Sequence, residues 1–143
     1  MSRVLGVDLG ERRIGLALSD PTRTIASPHS VLERVRARAD DHDAILRVAR
    51  LERADRIVVG LPLSLSGKHG PAARAALIEI EALRAAAGDE FTIEPFDERL
   101  TTVSAERSMA PARLTRAARR RVVDKVAAAV MLQSWLDRQV SQR

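Results

Sequence analysis

Three acidic residues, far apart along the chain, are the groups that could do chemistry here. Asp8 lies in "VLGVDLG", inside an alternating apolar run where an unpaired carboxylate is costly. Glu98 lies in "FDERLTT", directly after the apolar segment "FTIEPF". Asp124 is the lone acid of "RAARRRVVDKVAAAV". Three such groups converging without a counter-charge would repel one another and raise at least one pKa. A shared cation removes the repulsion, and oxygen ligands without His or Cys favour Mg²⁺ or Mn²⁺ over Zn²⁺. Two such ions about 4 Å apart activate a water and stabilise the leaving oxygen of a phosphodiester. Each acid also has a purely structural reading. Asp8 could be a turn acceptor, Glu98 a surface partner of Arg99, and Asp124 a helix partner of Lys125 and Arg121. Only a fold that brings the three together separates the two readings.

The elements that must position them follow from periodicity. Val4 to Asp20 reads as a tight hairpin turning at Gly10. Leu5, Val7 and Leu9 share one face of its first strand, and Ile14, Leu16 and Leu18 one face of its second. The opposite face carries Gly6, Asp8, Gly15 and Ala17, so a neighbour can pack very close to it. A third extended segment is predicted over about Thr24 to Glu33. A helix follows in "DDHDAILRVARLERAD", with Ile45, Val48, Ala49 and Leu51 as its apolar stripe. "RIVVG" (56–60) is a buried strand. Pro71 starts a helix with Ala73, Leu77, Ile80 and Leu83 inward, and Gly88 ends it. "FTIEPF" is the fifth strand. A short helix broken near Pro111 comes next, then a long one over about Thr115 to Gln139. Strands separated by helices are parallel crossovers. The fold class is therefore α/β: a mixed five-stranded sheet, three antiparallel strands then two parallel, flanked by helices. On the last helix Asp124, Ala127, Ala128 and Met131 share a face small enough to approach the bare hairpin face.

Composition bounds the setting. The 143 residues suffice for one domain, 1–143, with one core. There is no cysteine, hence no disulfide framework and no thiolate metal site. No apolar run approaches membrane-span length, and no apolar leader opens the chain. A soluble cytoplasmic protein without membrane contact is expected. Lys+Arg number 24 against 19 Asp+Glu, nearly all the positive charge being Arg, which favours a polyanionic partner weakly. Aromatics at 2% argue against single-strand binding by base stacking.

The basic residues nearest the acids are Arg12 and Arg13 after the first strand, Lys68 in a Gly-rich loop before a helix, and Arg99 beside Glu98. Arg113, Arg116, Arg119, Arg120, Arg121 and Lys125 crowd the start of the last helix. Arg12, Arg13, Lys68, Arg99, Arg116 and Arg120 are the nucleic-acid-binding candidates, Arg12 and Arg99 being placed nearest the scissile phosphate. The alternative for the 119–121 run is a solvated helix face. His69 is read as incidental rather than as a general base.

Four blocks in order, "GVDLGERRIGLALSD", "VVGLPLSLSGKHGP", "FDERLTT" and "VDKVAAAVMLQSWL", together resemble the YqgF/RuvX family of pre-16S rRNA nucleases across nearly the whole chain. The resemblance implies an RNase H-like fold and a metal-dependent nuclease. It implies catalytic metal ligands at Asp8, Glu98 and Asp124, with Mg²⁺ or Mn²⁺ as cofactor. It implies structured RNA, pre-16S rRNA above all, or branched DNA as partner, with the ribosome as a further one, and a monomer or weak homodimer. Relatedness to Holliday junction resolvases comes with it. Two departures stand out: Ser64 and Ser66 replace the Asn and Asp often found after "GLPL", and Arg12 replaces a Lys. Three competing functions remain open at this stage. One is resolution of DNA junctions by a dimer, and another is a non-catalytic RNA- or ribosome-associated factor. The third is an actin-like phosphotransferase, disfavoured because the chain repeats neither "VDLG" nor its lobe.

Overall fold

The alternating apolar pattern of the first twenty residues folds as a hairpin of β1 (Arg3–Leu9) and β2 (Arg13–Ser19), paired antiparallel with Asp8 opposite Gly15. Gly10 closes the turn, its N–H donating to the Arg13 carbonyl at 2.9 Å. The computed structural model describes residues 2–63, 66–101 and 115–141. β3 (Ala26–Glu33) pairs antiparallel with β2. It begins two residues later than predicted because the Asp20 carboxylate accepts the N–H groups of Thr24 (2.8 Å) and Ile25 (3.0 Å), tying both into the turn. Those bonds hold the Asp20 carboxyl well below its ordinary pKa.

α1 (Arg38–Leu51) leads to β4 (Ala54–Leu61), and α2 (Pro71–Ala87) leads to β5 (Thr92–Asp97). β4 pairs parallel with β1, and β5 parallel with β4, giving the strand order β3-β2-β1-β4-β5. The mixed five-stranded sheet is therefore as expected. After β5 comes one 3-10 turn, Glu98–Leu100, capped by the Asp97 side chain. The remainder of the predicted short helix, its break at Pro111 and Arg113 lie outside the described residues. α3 (Arg116–Ser141) is the long final helix, with Thr115 Oγ1 accepting the Ala118 N–H at 3.1 Å.

The sheet has two differently packed faces. Leu5, Val7, Ile14, Leu16, Ile57 and Val59 meet α1 and α2 through Ile45, Leu46, Ala49, Ile80 and Leu83. Val4, Ala17, Val58 and Phe96 meet α3 through Ala128, Met131, Leu132, Trp135 and Leu136. Each fully buried aliphatic side chain is worth about 1.5–3 kcal/mol of hydrophobic stabilisation. One predicted core residue is misplaced: Leu51 is 76% exposed and Leu46 is buried in its stead. At 3.6 residues per turn Leu51 lies about 200° round the helix from Ala49, on the solvent side.

Beneath the β1–β2 turn is a buried ionic cluster that no sequence motif announced. Arg34, whose side chain is 6% exposed, donates from Nε to the Gly10 carbonyl at 2.7 Å. Its other nitrogens reach Asp41 at 3.2 Å and Glu79 at 3.0 and 2.8 Å. His42 contacts Glu79 at 2.9 Å, and Asp41 also accepts the Val35 N–H at 3.0 Å. The guanidinium thus ties the turn to α1 and α2. Removing one partner leaves buried charge uncompensated, so Arg34→Ala should lower unfolding free energy by about 3–5 kcal/mol, read from the urea midpoint.

Candidate active site

Asp8 is placed by β1 on the face that α3 covers. A side chain on Gly15, its cross-strand partner, would put a Cβ 2.2 Å from the Asp124 carbonyl oxygen. A Cβ on Gly6 would lie 2.9 Å from Leu132 Cβ. No real Cβ tolerates such distances, so the missing side chains are what let the α3 backbone settle on the hairpin. That contact carries Asp124 to the neighbourhood of Asp8. The predicted close approach of the Ala-rich helix face to the bare sheet face is what the structure contains.

Glu98 comes from the other side. β5 is separated from β1 by β4, so the Glu98 side chain must cross β4 to reach Asp8. It does so over Gly60, where a Cβ would sit 2.4 Å from Glu98 Oε1. Sequence reasoning treated Gly60 only as the end of a strand. A glycine closing an otherwise apolar β-branched run was the available signal.

The electrostatics of the pair follow from this crowding. Burial is the largest influence on Asp8 and pushes its pKa up, with the negative Asp124 adding to the rise and the Glu98 hydrogen bond opposing it. Burial likewise raises Glu98, reinforced by Asp8 and then Asp97, to about 7. The contact between the two side chains acts on both in opposite senses, lowering Asp8 and raising Glu98. Asp124 is held differently. Arg13 Nε donates to its Oδ2 at 2.6 Å in a partly sheltered ion pair. Among the described residues, no three His, Cys, Asp or Glu side chains are gathered closely enough to grip an ion as they stand. Asp8 and Glu98 are side by side, and Asp124 adjoins them with its carboxylate on Arg13.

This donor set suits a hard dication. Two carboxyls in contact, both reluctant to ionise, mark a place short of positive charge, and oxygen donors match Mg²⁺ or Mn²⁺. The basic candidates divide. Arg12 is exposed on the β1–β2 turn, and Lys68, Arg116 and Arg120 are exposed on the α2 approach and at the start of α3. Arg13 is turned onto Asp124. Arg99 chelates Asp97, at 2.6 Å from Nη2 and 3.0 Å from Nε, and its guanidinium lies against Gly67. Arg121 pairs with Glu33 at 2.7 Å. His69 is exposed and away from the acids' hydrogen bonds among the described residues.

The sequence model of the RuvX family, described as Holliday junction resolvase, matches residues 2–138. The chain belongs to the RuvX family. A member from Anaeromyxobacter sp. (strain K), named "Putative pre-16S rRNA nuclease", is 46% identical over 136 residues, 95% of this chain and 97% of that protein. One of the same name from Roseiflexus sp. (strain RS-1) is 43% identical over 137 residues, 96% and 95% of the two chains. Among solved structures, Thermus thermophilus RuvC in complex with a Holliday junction substrate superposes with a TM-score of 0.59 at 14% identity, covering 97% of this chain and 96% of that one. The fowlpox virus resolvase bound to junction DNA gives 0.56 at 11%, covering 96% and 99%. At such identities the likeness is one of fold: this RuvX-family chain has the RNase H-like architecture of the resolvases.

Two outcomes test the carboxyl pair. Glu98 has a folded-state pKa above its ordinary 4.5, so its contribution to stability is full below that value and is lost as pH rises through about 7. In EDTA, the melting temperature of the wild type should fall relative to Glu98→Gln across that window, and the two should run parallel above it. Gly60→Ala should push Glu98 off Asp8. Carboxyl ¹³C NMR should then find the Glu98 titration moved back toward 4.5.

Proposed function

We propose that this protein is a metal-dependent nuclease, one domain over 1–143, that hydrolyses phosphodiesters of structured RNA and processes the 5′ end of pre-16S rRNA in the cytoplasm during ribosome biogenesis. The carrying observation is the carboxyl pair of Asp8 and Glu98, brought together over Gly60 with Asp124 adjoining. The names of the curated relatives supply the RNA class. No helix among the described residues is long and apolar enough to cross a membrane.

In this reading Asp8, Glu98 and Asp124 hold Mg²⁺ or Mn²⁺. When bound, such an ion supplies positive charge at the phosphate and lowers the pKa of the attacking water. Asp8 and Glu98 would hold the ion in their ionised forms, since ionised oxygens are the better donors. Glu98 Oε1 is seated over Gly60, on the backbone of β4. Asp97 caps the following turn through the Arg99 N–H at 2.9 Å and thereby orients the Glu98 backbone. Exposed Arg12, Lys68, Arg116 and Arg120 are phosphate contacts, and their number makes binding salt dependent.

A second reading, resolution of branched DNA, is favoured by the description of the family model. Both are tested at once. Purified protein with Mn²⁺ or Mg²⁺ is given a precursor 16S rRNA fragment and a four-way DNA junction, beside Asp8→Asn and Asp124→Asn. The RNA should be cut, and each variant should lose more than the about 10- to 100-fold typical of residues behind the ligands. Paired nicks in the junction with intact RNA would support the second reading. Tight RNA binding without cleavage under any divalent metal would leave a non-catalytic factor.

A further inference from the structure

The Arg13–Asp124 pair has a consequence for the same site, and it rests on the proposed metal reading. We infer that Arg13 is an internal counterion that competes with the divalent cation for Asp124, so that metal binding and release of the Arg13 guanidinium are one coupled event.

Three observations carry this. The Nε–Oδ2 distance of 2.6 Å is at the short end for a charge-assisted hydrogen bond, and it joins residues 111 apart in sequence. The Arg13 and Asp124 side chains are only 22% and 29% exposed, so water screens the pair incompletely. The three acids are also partnered in two separate ways. Asp8 and Glu98 lie against each other, whereas Asp124 is matched by the positive charge of Arg13. An Asp124 carboxylate oxygen bonded to Arg13 is not with the other two acids, in keeping with the absence of a ready three-ligand group among the described residues. An ion that takes Oδ2, or that turns the Asp124 carboxylate toward Asp8 and Glu98, has to open this bond. The guanidinium has somewhere to go. Glu33, the cross-strand partner of Arg13, already attracts it and would hold it beside Arg121, whose Nη2 is on Oε1 at 2.7 Å.

The opposite role is a scaffold, in which Arg13 orients Asp124 for the ion. The two roles differ in sign. A competitor weakens metal binding, so its removal tightens it; a scaffold strengthens metal binding, so its removal loosens it. Mn²⁺ is titrated calorimetrically into metal-free full-length protein, as wild type, Arg13→Gln, Asp124→Asn and the double variant. Arg13→Gln should bind Mn²⁺ about three- to tenfold tighter, the size expected for a partly exposed charged pair. In the Asp124→Asn background the same substitution should change nothing. Unchanged or weaker binding by Arg13→Gln overturns the inference. So does tightening that persists without the Asp124 carboxylate, which would be a general field effect.

A second measurement needs no destabilising variant. In ¹⁵N-arginine spectra of the wild type, the Arg13 Nε–H signal, assigned by its loss in Arg13→Lys, should shift in step with Mg²⁺ saturation. A signal that stays in place at saturation overturns the inference. Wild-type protein that binds neither Mn²⁺ nor Mg²⁺ overturns the metal reading itself. Wild-type binding with a motionless Arg13 overturns only the competition.

Discussion

Between Gly15 of β2 and the carbonyl oxygen of Asp124 on α3 there is no room for a methyl group. That close approach sets the depth at which the last helix lies on the sheet, and much of the remainder depends on it. It lets Ala128, Leu132 and Leu136 pack in one buried layer with Val4, Ala17 and Val58. It also places the Asp124 backbone over the strand pair that holds Asp8. A side chain on Gly15 would lift α3, and the hydrophobic layer and the acidic neighbourhood would open together.

Glycine plays the same part on the far side of the site. Glu98 belongs to the turn after β5, two strands from Asp8, and reaches it because β4 presents Gly60 at the crossing point. The site is thus built on three strand ends and one helix, all of them anchored in the core. Its precision comes from rigid elements, and the loop residues around it supply charge. The Arg34 cluster secures the remaining corner. It ties the Gly10 carbonyl to Glu79 and Asp41, and so fixes the turn from which Arg12 and Arg13 project.

Crowding acids in this way has an electrostatic consequence. Burial and the repulsion of neighbouring acids raise the pKa of both Asp8 and Glu98, while Asp124 is answered by the Arg13 guanidinium. Carboxyl oxygens bind a metal ion only when deprotonated, so protons and a hydrogen-bonded guanidinium would both compete with such an ion for this site.

Local pattern made most of this fold legible. Alternation in Leu5, Val7, Ile14 and Leu16 identified the hairpin and its two faces, and the run of small residues in "DKVAAAV" identified the helix that covers one of them. The order of strands and helices then left a mixed sheet as the natural outcome. The misplacement of Leu51 and the late start of β3 are end effects: at the helix end the turn of about 3.6 residues carries Leu51 into solvent, and at the strand start two bonds to Asp20 hold Thr24 and Ile25 in the turn. Sequence alone also supplied the candidates for the site: acids at 8, 98 and 124, no cysteine, and arginines on either side. Tertiary structure decided which acid faces which. Arg13 was read as a contact for nucleic acid, yet its guanidinium lies on Asp124, and Gly60 was read as a strand end, yet it is the passage for Glu98. Both depend on distances across the sheet between residues remote in the chain. No local propensity encodes such distances, because they are set by how closely two backbones can pack.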